Sequence, residues 1–152
     1  MWPCLLLALA LLGTVPASHP APHQVQELPA AETAQLRYTV VNKLCTYASA
    51  QRYCQAVYRG QLASVHSAAR NQELKKLAKT YNSIISPWIG AVTSCRAGKW
   101  ESYWEDSSPW NYANWAPTQP SHKVTTCTTL SVRDGLWRSR LCFLMHPFIC
   151  QY

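Results

Sequence analysis

The chain has 152 residues and a formal net charge of +7, which leaves room for one domain and excludes a second. All 14 basic residues lie between Arg37 and Arg140 and only five of the seven acids follow Arg37, so residues 37–152 carry +9. Such a balance attracts polyanions: sulfated glycans, anionic lipid surfaces or nucleic acid. The cysteines form no Cys-x-x-Cys or Cys/His knuckle, which argues against a zinc module.

In chain order, Leu5–Leu12 is a short apolar run followed by Gly13 and Pro16, with small residues Val15 and Ala17 ahead of a cleavage point. That pattern predicts a signal peptide over 1–17, although Met1–Pro3 lacks Lys or Arg. The run is too short to span a bilayer, which needs roughly 20 apolar residues. Secretion makes nucleic acid the least accessible of the three polyanions. Residues 18–36, with prolines, alanines and glutamines and little to bury, read as a flexible leader. Removing 1–17 takes away Cys4 and leaves Cys45, Cys54, Cys95, Cys127, Cys142 and Cys150. An even count in a small secreted domain reads as a disulfide framework, and spacing alone leaves all 15 connectivities open.

The folded unit is expected over 37–152. Arg37–Val41 reads as an opening strand. Ser49 is the expected N-cap of a helix carrying Ala50, Tyr53, Cys54 and Val57 on one face, with Gly60 as its stop. Gln61–Val65 alternates as a strand does. Ser67 is the expected cap of a second helix striped by Leu74, Leu77, Ala78 and Tyr81, with Lys75, Lys76 and Lys79 on solvated faces. Trp88–Ala91 is a buried-strand candidate. Six aromatics crowd between Trp100 and Trp115; core packing is the commoner use of such a cluster, and stacking on sugars the alternative. No internal repeat and no Asn-x-Ser/Thr acceptor is present.

Asp134-Gly135 between alternating segments signals a two-residue hairpin. That register pairs Arg133 with Leu136, Val132 with Trp137, Ser131 with Arg138 and Leu130 with Ser139. Leu130, Val132, Trp137 and Leu141 then share the buried face, and Arg133, Arg138 and Arg140 the exposed one. Three unopposed guanidinium groups repel one another, which favours a binding role over a merely solubilising one. Lys123 on the preceding loop joins this set, and Arg96 and Lys99 are candidate extensions.

Helix one with Cys54, Gly60-Gln61-Leu62-Ala63-Ser64-Val65, Trp88-Ile89-Gly90-Ala91, Trp110-Asn111-Tyr112, Asn114-Trp115-Ala116-Pro117, Gln119-Pro120, Cys127, Trp137, Cys142 and Pro147-Phe148-Ile149-Cys150 occur in this order. Together they resemble the C-type lectin domain family over residues 37–152. The resemblance implies an α+β fold: two helices packed on short antiparallel sheets, with a long loop region. It implies bridges Cys54–Cys150 and Cys127–Cys142, and leaves Cys45 and Cys95 to pair with each other, stay free or bridge to another chain. Tyr58-Arg59-Gly60-Gln61-Leu62, Cys95-Arg96 and Trp137-Arg138 resemble eosinophil major basic protein and its proteoglycan relatives.

Calcium-dependent members of the family hold the ion with a Glu-Pro-Asn or Gln-Pro-Asp loop and an Asn-Asp pair after the hairpin tryptophan. Here the loop reads Gln119-Pro120-Ser121, Trp137 is followed by Arg138-Ser139, and Asp134 is the one carboxylate from Pro109 to Gly135. Ca²⁺ takes six to eight oxygens, several of them carboxylate, so no metal and no cofactor is expected. Glu105 and Asp106 read as solvated loop acids.

The subgroup resemblance implies calcium-independent binding of heparin-like sulfated glycosaminoglycan in an extracellular setting, immune or matrix. The alternative is a membrane-active host-defence protein released from granules, which requires exposed aromatics between Trp100 and Trp115. Members of that subgroup carry a long acidic propiece, whereas residues 18–36 hold just Glu27 and Glu32, which favours the binder over the toxin. Catalysis is not expected: Glu101, Glu105, Asp106 and the five histidines, His19, His23, His66, His122 and His146, form no nucleophile–base or metal-ligand spacing. Oligomeric state is not legible.

Overall fold

The computed structural model describes residues 35–152; the expected signal peptide and all but the end of the expected leader lie outside them. The elements in order are β1 (Tyr38–Cys45), α1 (Tyr47–Tyr58), β2 (Gln61–Leu62), α2 (Ala68–Tyr81), β3 (Trp88–Arg96), β4 (Lys99–Trp104), β5 (Thr126–Leu130), β6 (Trp137–Arg140) and β7 (His146–Gln151). No helix among them is long and apolar enough to cross a membrane.

The last strand organises the sheet. β7 pairs antiparallel with β1 on one side, takes β2 antiparallel at Gln61–Leu62, and meets β3 in parallel where Trp88 faces Phe148. β3 then carries β4 and β5, and β5 carries β6. Arg37 extends the first ladder by exchanging both backbone hydrogen bonds with Tyr152, at 2.7 and 2.9 Å. The ends of the described chain are therefore neighbours.

Local chemistry explains most element boundaries. Ser67 accepts from the Arg70 N–H at 3.1 Å and caps α2, as expected. For α1 the cap is Thr46, not Ser49: the Thr46 hydroxyl accepts from the Ser49 N–H at 3.3 Å. The helix starts a turn early because Tyr47 is buried and its hydroxyl donates to Glu105 at 2.8 Å. Arg59, in left-handed geometry, ends α1, and Gly60 N–H returns to Cys54 O at 3.0 Å. Gly60 is required for close approach, since a Cβ there would lie 1.9 Å from Gln151 O. Val57 and Tyr81, expected on the buried stripes, are exposed. The strand expected over Gln61–Val65 stops at Leu62 because Ser64 N–H turns to the Gln151 side chain at 2.9 Å.

Two apolar clusters fill the interior. One joins Trp88 and Phe148 to Leu62, Ala50 and the Cys54–Cys150 bridge. The other centres on Trp137 with Trp104, Leu74, Ile89, Leu130 and Ile149. Trp104 is 1% exposed, and Trp110, Tyr112 and Trp115 pack around Trp137 with ring centroids 5.6–6.0 Å from it. These aromatics are core and its lining: Trp104 is buried and Trp100, Tyr103, Trp110, Tyr112 and Trp115 are half-buried, so only part of each of those five rings is open to the contact that the membrane-active alternative requires.

Cys54–Cys150, 96 residues apart, and Cys127–Cys142, 15 apart, are both bridged. Loop-closure entropy assigns the first about 4–5 kcal/mol and the second about 3 kcal/mol. The Cys45–Cys95 pairing left open from the sequence is not formed. Cys45 carries a free thiol, and Cys95 is among the disulfide-bonded cysteines. Cys45 stands opposite His146, two residues before Phe148, while Cys95 lies seven residues beyond Trp88 on the parallel strand. At about 3.3 Å per residue the two are more than about 20 Å apart, far beyond the roughly 7 Å that a disulfide spans.

Candidate functional site

The hairpin between β5 and β6 differs in register from the sequence expectation. Leu130 pairs with Trp137, Thr129 with Arg138, Thr128 with Ser139 and Cys127 with Arg140, so the connection is the six-residue loop 131–136 and not Asp134-Gly135 alone. Side chains fix this loop. The Ser131 hydroxyl accepts from the N–H groups of Arg133 and Asp134, and Asp134 Oδ1 accepts from Leu136 N–H at 2.9 Å. Gly135 takes φ +73°, and its carbonyl accepts from Asn71 Nδ2 at 2.9 Å and Asn114 Nδ2 at 2.8 Å. Asn71 is itself buried on α2 and accepts from Trp137 Nε1 at 2.8 Å. Helix, loop and hairpin tryptophan are thus tied at one point.

A shift of two residues preserves the facing of each strand. Leu130, Val132 and Trp137 are buried as expected, but Leu141 is 41% exposed because β6 ends at Arg140 and Leu141 begins a turn. Arg138 and Arg140 project from the same face of β6, and Arg133 stands on the loop. All three line one groove of about 360 Å³, floored by Thr129 and Ser131 and walled on the far side by Ile84 and Ser86. The expected trio is therefore brought together, by a different backbone path.

The trio is not unopposed. Asp134 accepts from Arg138 Nη2 at 2.9 Å and Nη1 at 3.2 Å, a bidentate pair. Those bonds, with the Leu136 N–H and the Ser131 hydroxyl, hold the Asp134 carboxyl well below its usual range against a smaller opposing effect of burial. Asp134 in turn pushes Arg138 up. The groove thus carries three cations and one anion, and among the described residues Arg133 and Arg140 form no ion pair. Arg140 also acts on His146, whose pKa is lowered first by burial and then by that neighbouring charge, against a raising hydrogen bond to Ser86 O at 2.8 Å.

The outlying candidates fall elsewhere. Arg96 lies 3.5 Å over the Tyr103 ring and pairs with Lys99 across the β3–β4 tip. Lys123 is exposed, next to His122, which stacks on Trp100 at 5.7 Å. Lys123 does not line the groove; its neighbour His122 lies against Trp100, beside Lys99, and Arg96 and Lys99 form a second cluster away from the groove. Residues missed from the sequence are Asp134 as counterion and Ile84, Ser86, Thr129 and Ser131 as walls. The four-residue spacing of Asp134 and Arg138 was a weak signal for the first; nothing local marks the others.

Around the long loop the oxygens are already engaged. Gln119 Oε1 accepts from Ser139 N–H at 2.9 Å, and Ser139 Oγ accepts from Ser121 N–H at 3.0 Å. Glu105 and Asp106 are not simply solvated loop acids, as the sequence had suggested, but half-buried and hydrogen-bonded. Glu105 accepts from Tyr47, and Asp106 accepts from Ser64 Oγ at 2.6 Å, Gln151 Nε2 at 2.7 Å and Ser108 N–H at 2.9 Å. Burial raises the Asp106 pKa, but the bonds from Ser108, Ser64 and Gln151 outweigh it and hold the carboxyl low. His66 Nε2 lies 3.2 Å from Ser64 Oγ. The Ser64 hydroxyl gives its proton to Asp106, and Ser64 is 4% exposed, so this contact knits the core and does not form an accessible nucleophile–base pair.

A family profile described as Lectin C-type domain matches residues 43–152. Curated relatives include Proteoglycan 3 of Mus musculus, 40% identical over 76% of this chain and 51% of its own length. Eosinophil granule major basic protein 1 of Cavia porcellus is 36% identical over 76% and 50%, so the chain spans about half the length of these relatives. Among solved structures, human lithostathine is similar with a TM-score of 0.69 and 24% identity, over 77% of this chain and 91% of that one. A calcium-independent type II antifreeze protein gives 0.65 and 26%, over 82% and 93%. With two helices on a β7-centred sheet, the paired Cys54–Cys150 and Cys127–Cys142 bridges and a profile match over 110 residues, the chain belongs to the C-type lectin domain family.

Proposed function

We propose that this domain is a secreted, calcium-independent binding module for sulfated glycosaminoglycan of the heparin or heparan sulfate type. Arg133, Arg138 and Arg140 form the centre of its site, and Lys123, Arg96 and Lys99 serve as outlying contacts. The observation that carries the reading is the groove itself, where three guanidinium groups converge against a single carboxylate. Guanidinium forks suit sulfate because they donate paired hydrogen bonds in one plane. A linear polyanion laid along β6 meets Arg138 and then Arg140.

Calcium independence is supported by the chemistry of the long loop. Ca²⁺ needs six to eight oxygen ligands, and here the Gln119 and Ser139 side-chain oxygens accept backbone N–H groups while Asp134 serves Arg138. The fold alone does not decide the point, since solved neighbours include a calcium-dependent and a calcium-independent type II antifreeze protein. The relatives' names, proteoglycans and granule basic proteins, fit an extracellular binding protein better than an enzyme.

The test is heparin-affinity elution of the parent and of a triple variant, Arg133→Ala, Arg138→Ala and Arg140→Ala. The variant should elute at distinctly lower salt, because each lost phosphate- or sulfate-type contact removes counterion release. Elution at the parental salt would place binding elsewhere.

A further inference from the structure

The arginine groove is built against helix α2 and the segment that leaves it. Ile84 and Ser86, which wall the groove, follow the helix closely, and the Asn82 carboxamide oxygen accepts from the Ile84 and Ile85 N–H groups at 3.0 and 2.9 Å. Loop 131–136 is tied to the same helix, since Gly135 O accepts from Asn71 Nδ2 at 2.9 Å. One turn further on, Lys75 lays its stem against Gly135: a Cβ there would stand 3.3 Å from Lys75 Cδ. Lys75 is therefore half-buried, unlike the solvated lysine that the sequence suggested. A stem held in this way leaves the ammonium at the outer edge of the loop, one residue from Asp134 of the groove. Lys79 is exposed and lies four residues beyond Lys75 on the same side of α2, on the way to Asn82 and Ile84.

No carboxylate holds these two lysines. Among the described residues neither forms an ion pair; Asp134 serves Arg138, and Glu73 on the same helix serves Arg70 at 2.9 Å. The groove itself holds about 360 Å³, near the small end of ligand sites, so a polymer seated in it projects beyond it.

We propose that the polyanion track leaves the groove over loop 131–136 and continues along α2 through Lys75 and Lys79, so that the domain selects an extended sulfated chain over a short sulfated sugar. This deepens the groove reading and rests on it. The two parts of the track do different work. Guanidinium forks in the groove fix the orientation of the sulfates they meet, whereas an ammonium is a point charge with rotatable donors and accepts a sulfate from many directions. The lysines are spaced about 6 Å along the helix, and a glycosaminoglycan repeats its charges along its length. The arginines therefore anchor the chain and the lysines reward its length.

The test is calorimetric titration of the purified protein with a heparin tetrasaccharide and a heparin dodecasaccharide at several salt concentrations. Glutamine at 75 and 79 keeps part of each stem, including the part that lies on Gly135, and removes the charge. Lys75→Gln with Lys79→Gln should weaken the dodecasaccharide about fivefold for each cation lost and flatten its log K against log salt slope by about 0.7–0.9 per cation. Tetrasaccharide affinity should stay within about twofold, because salt screens charges beyond the groove. Arg52→Gln, which removes one charge from α1, should leave both ligands at parental affinity. A double-lysine variant with parental dodecasaccharide affinity and slope would overturn the track, and so would an equal loss for both ligands, which would make the lysines a matter of net charge. If neither oligosaccharide binds the parent, or if binding survives Arg133→Ala, Arg138→Ala and Arg140→Ala together, the groove reading fails and takes the track with it. Binding that needs those arginines but not the lysines would sink the track alone.

Discussion

Replacing Asp134 by Asn separates the charge of the groove from its shape. Asp134 has two tasks: its Oδ1 accepts from Leu136 N–H at 2.9 Å, and its carboxylate takes both Arg138 donors. Asparagine keeps an oxygen for the first and gives up the charge of the second. The pair is surface-exposed, with side chains 32% and 41% accessible, so stability should fall by only about 0.5 kcal/mol. Binding should move the other way. Freeing Arg138 takes the groove from two unopposed cations to three, and one such contact at about 4 Å in water contributes about 1 kcal/mol, or roughly fivefold in affinity. The slope of log K against log salt should steepen by about 0.7–0.9. Calorimetric titration with a heparin oligosaccharide at several salt concentrations reads both quantities. An affinity equal to or below the parent's, with an unchanged slope, would show that Arg138 does not face the ligand.

Two further predictions concern titration. Asp106→Asn should cost about 1–3 kcal/mol in urea denaturation, because it leaves the Ser64, Ser108 and Gln151 donors with a poorer acceptor. The native Asp106 carboxyl is held below its ordinary value of 3.8, so its contribution is full above that value and is lost as pH falls through the depressed native one. The parent should weaken in that acid window, and the Asn variant should weaken less. His146 follows the same sign: its native value is depressed, so its contribution is present above 6.5 and is lost as pH falls through the lower native value. Arg140→Ala should move the His146 titration, followed by NMR, back toward 6.5; an unmoved midpoint would mean that Arg140 points away from β7.

What the sequence revealed depended on how local each cause is. Cys54 was legible from helical spacing, Trp88 from a short apolar run and the Ser67 cap from a hydroxyl three residues before its donor, whereas Phe148 entered only through the family resemblance. The cap of α1 was misread because Thr46 and Ser49 both suit the position, and the choice falls to Tyr47 reaching Glu105 across 58 residues. Asp134-Gly135 is a strong local turn signal that was overridden from outside. Asn71 on α2 and Asn114 on the long loop seize the Gly135 carbonyl, and Ser131 gathers the loop's N–H groups. The three arginines survived that error because a two-residue slip leaves side-chain facing intact. Their counterion did not emerge, because Asp134 was assigned wholly to the turn. The exposed run from Leu141 to Met145 was hidden for a similar reason: alternation predicts burial for Leu141, while the strand ends one residue before it.

The central claim is that the Arg133–Arg138–Arg140 groove holds a sulfated polyanion without calcium, and the most direct test is heparin retention of the purified protein with millimolar calcium and with excess EDTA. The account predicts retention well above physiological salt, the same in both buffers. Retention that vanishes in EDTA would return Gln119–Ser139 to a calcium-binding role, and early elution in both would make the charge of the groove incidental to function.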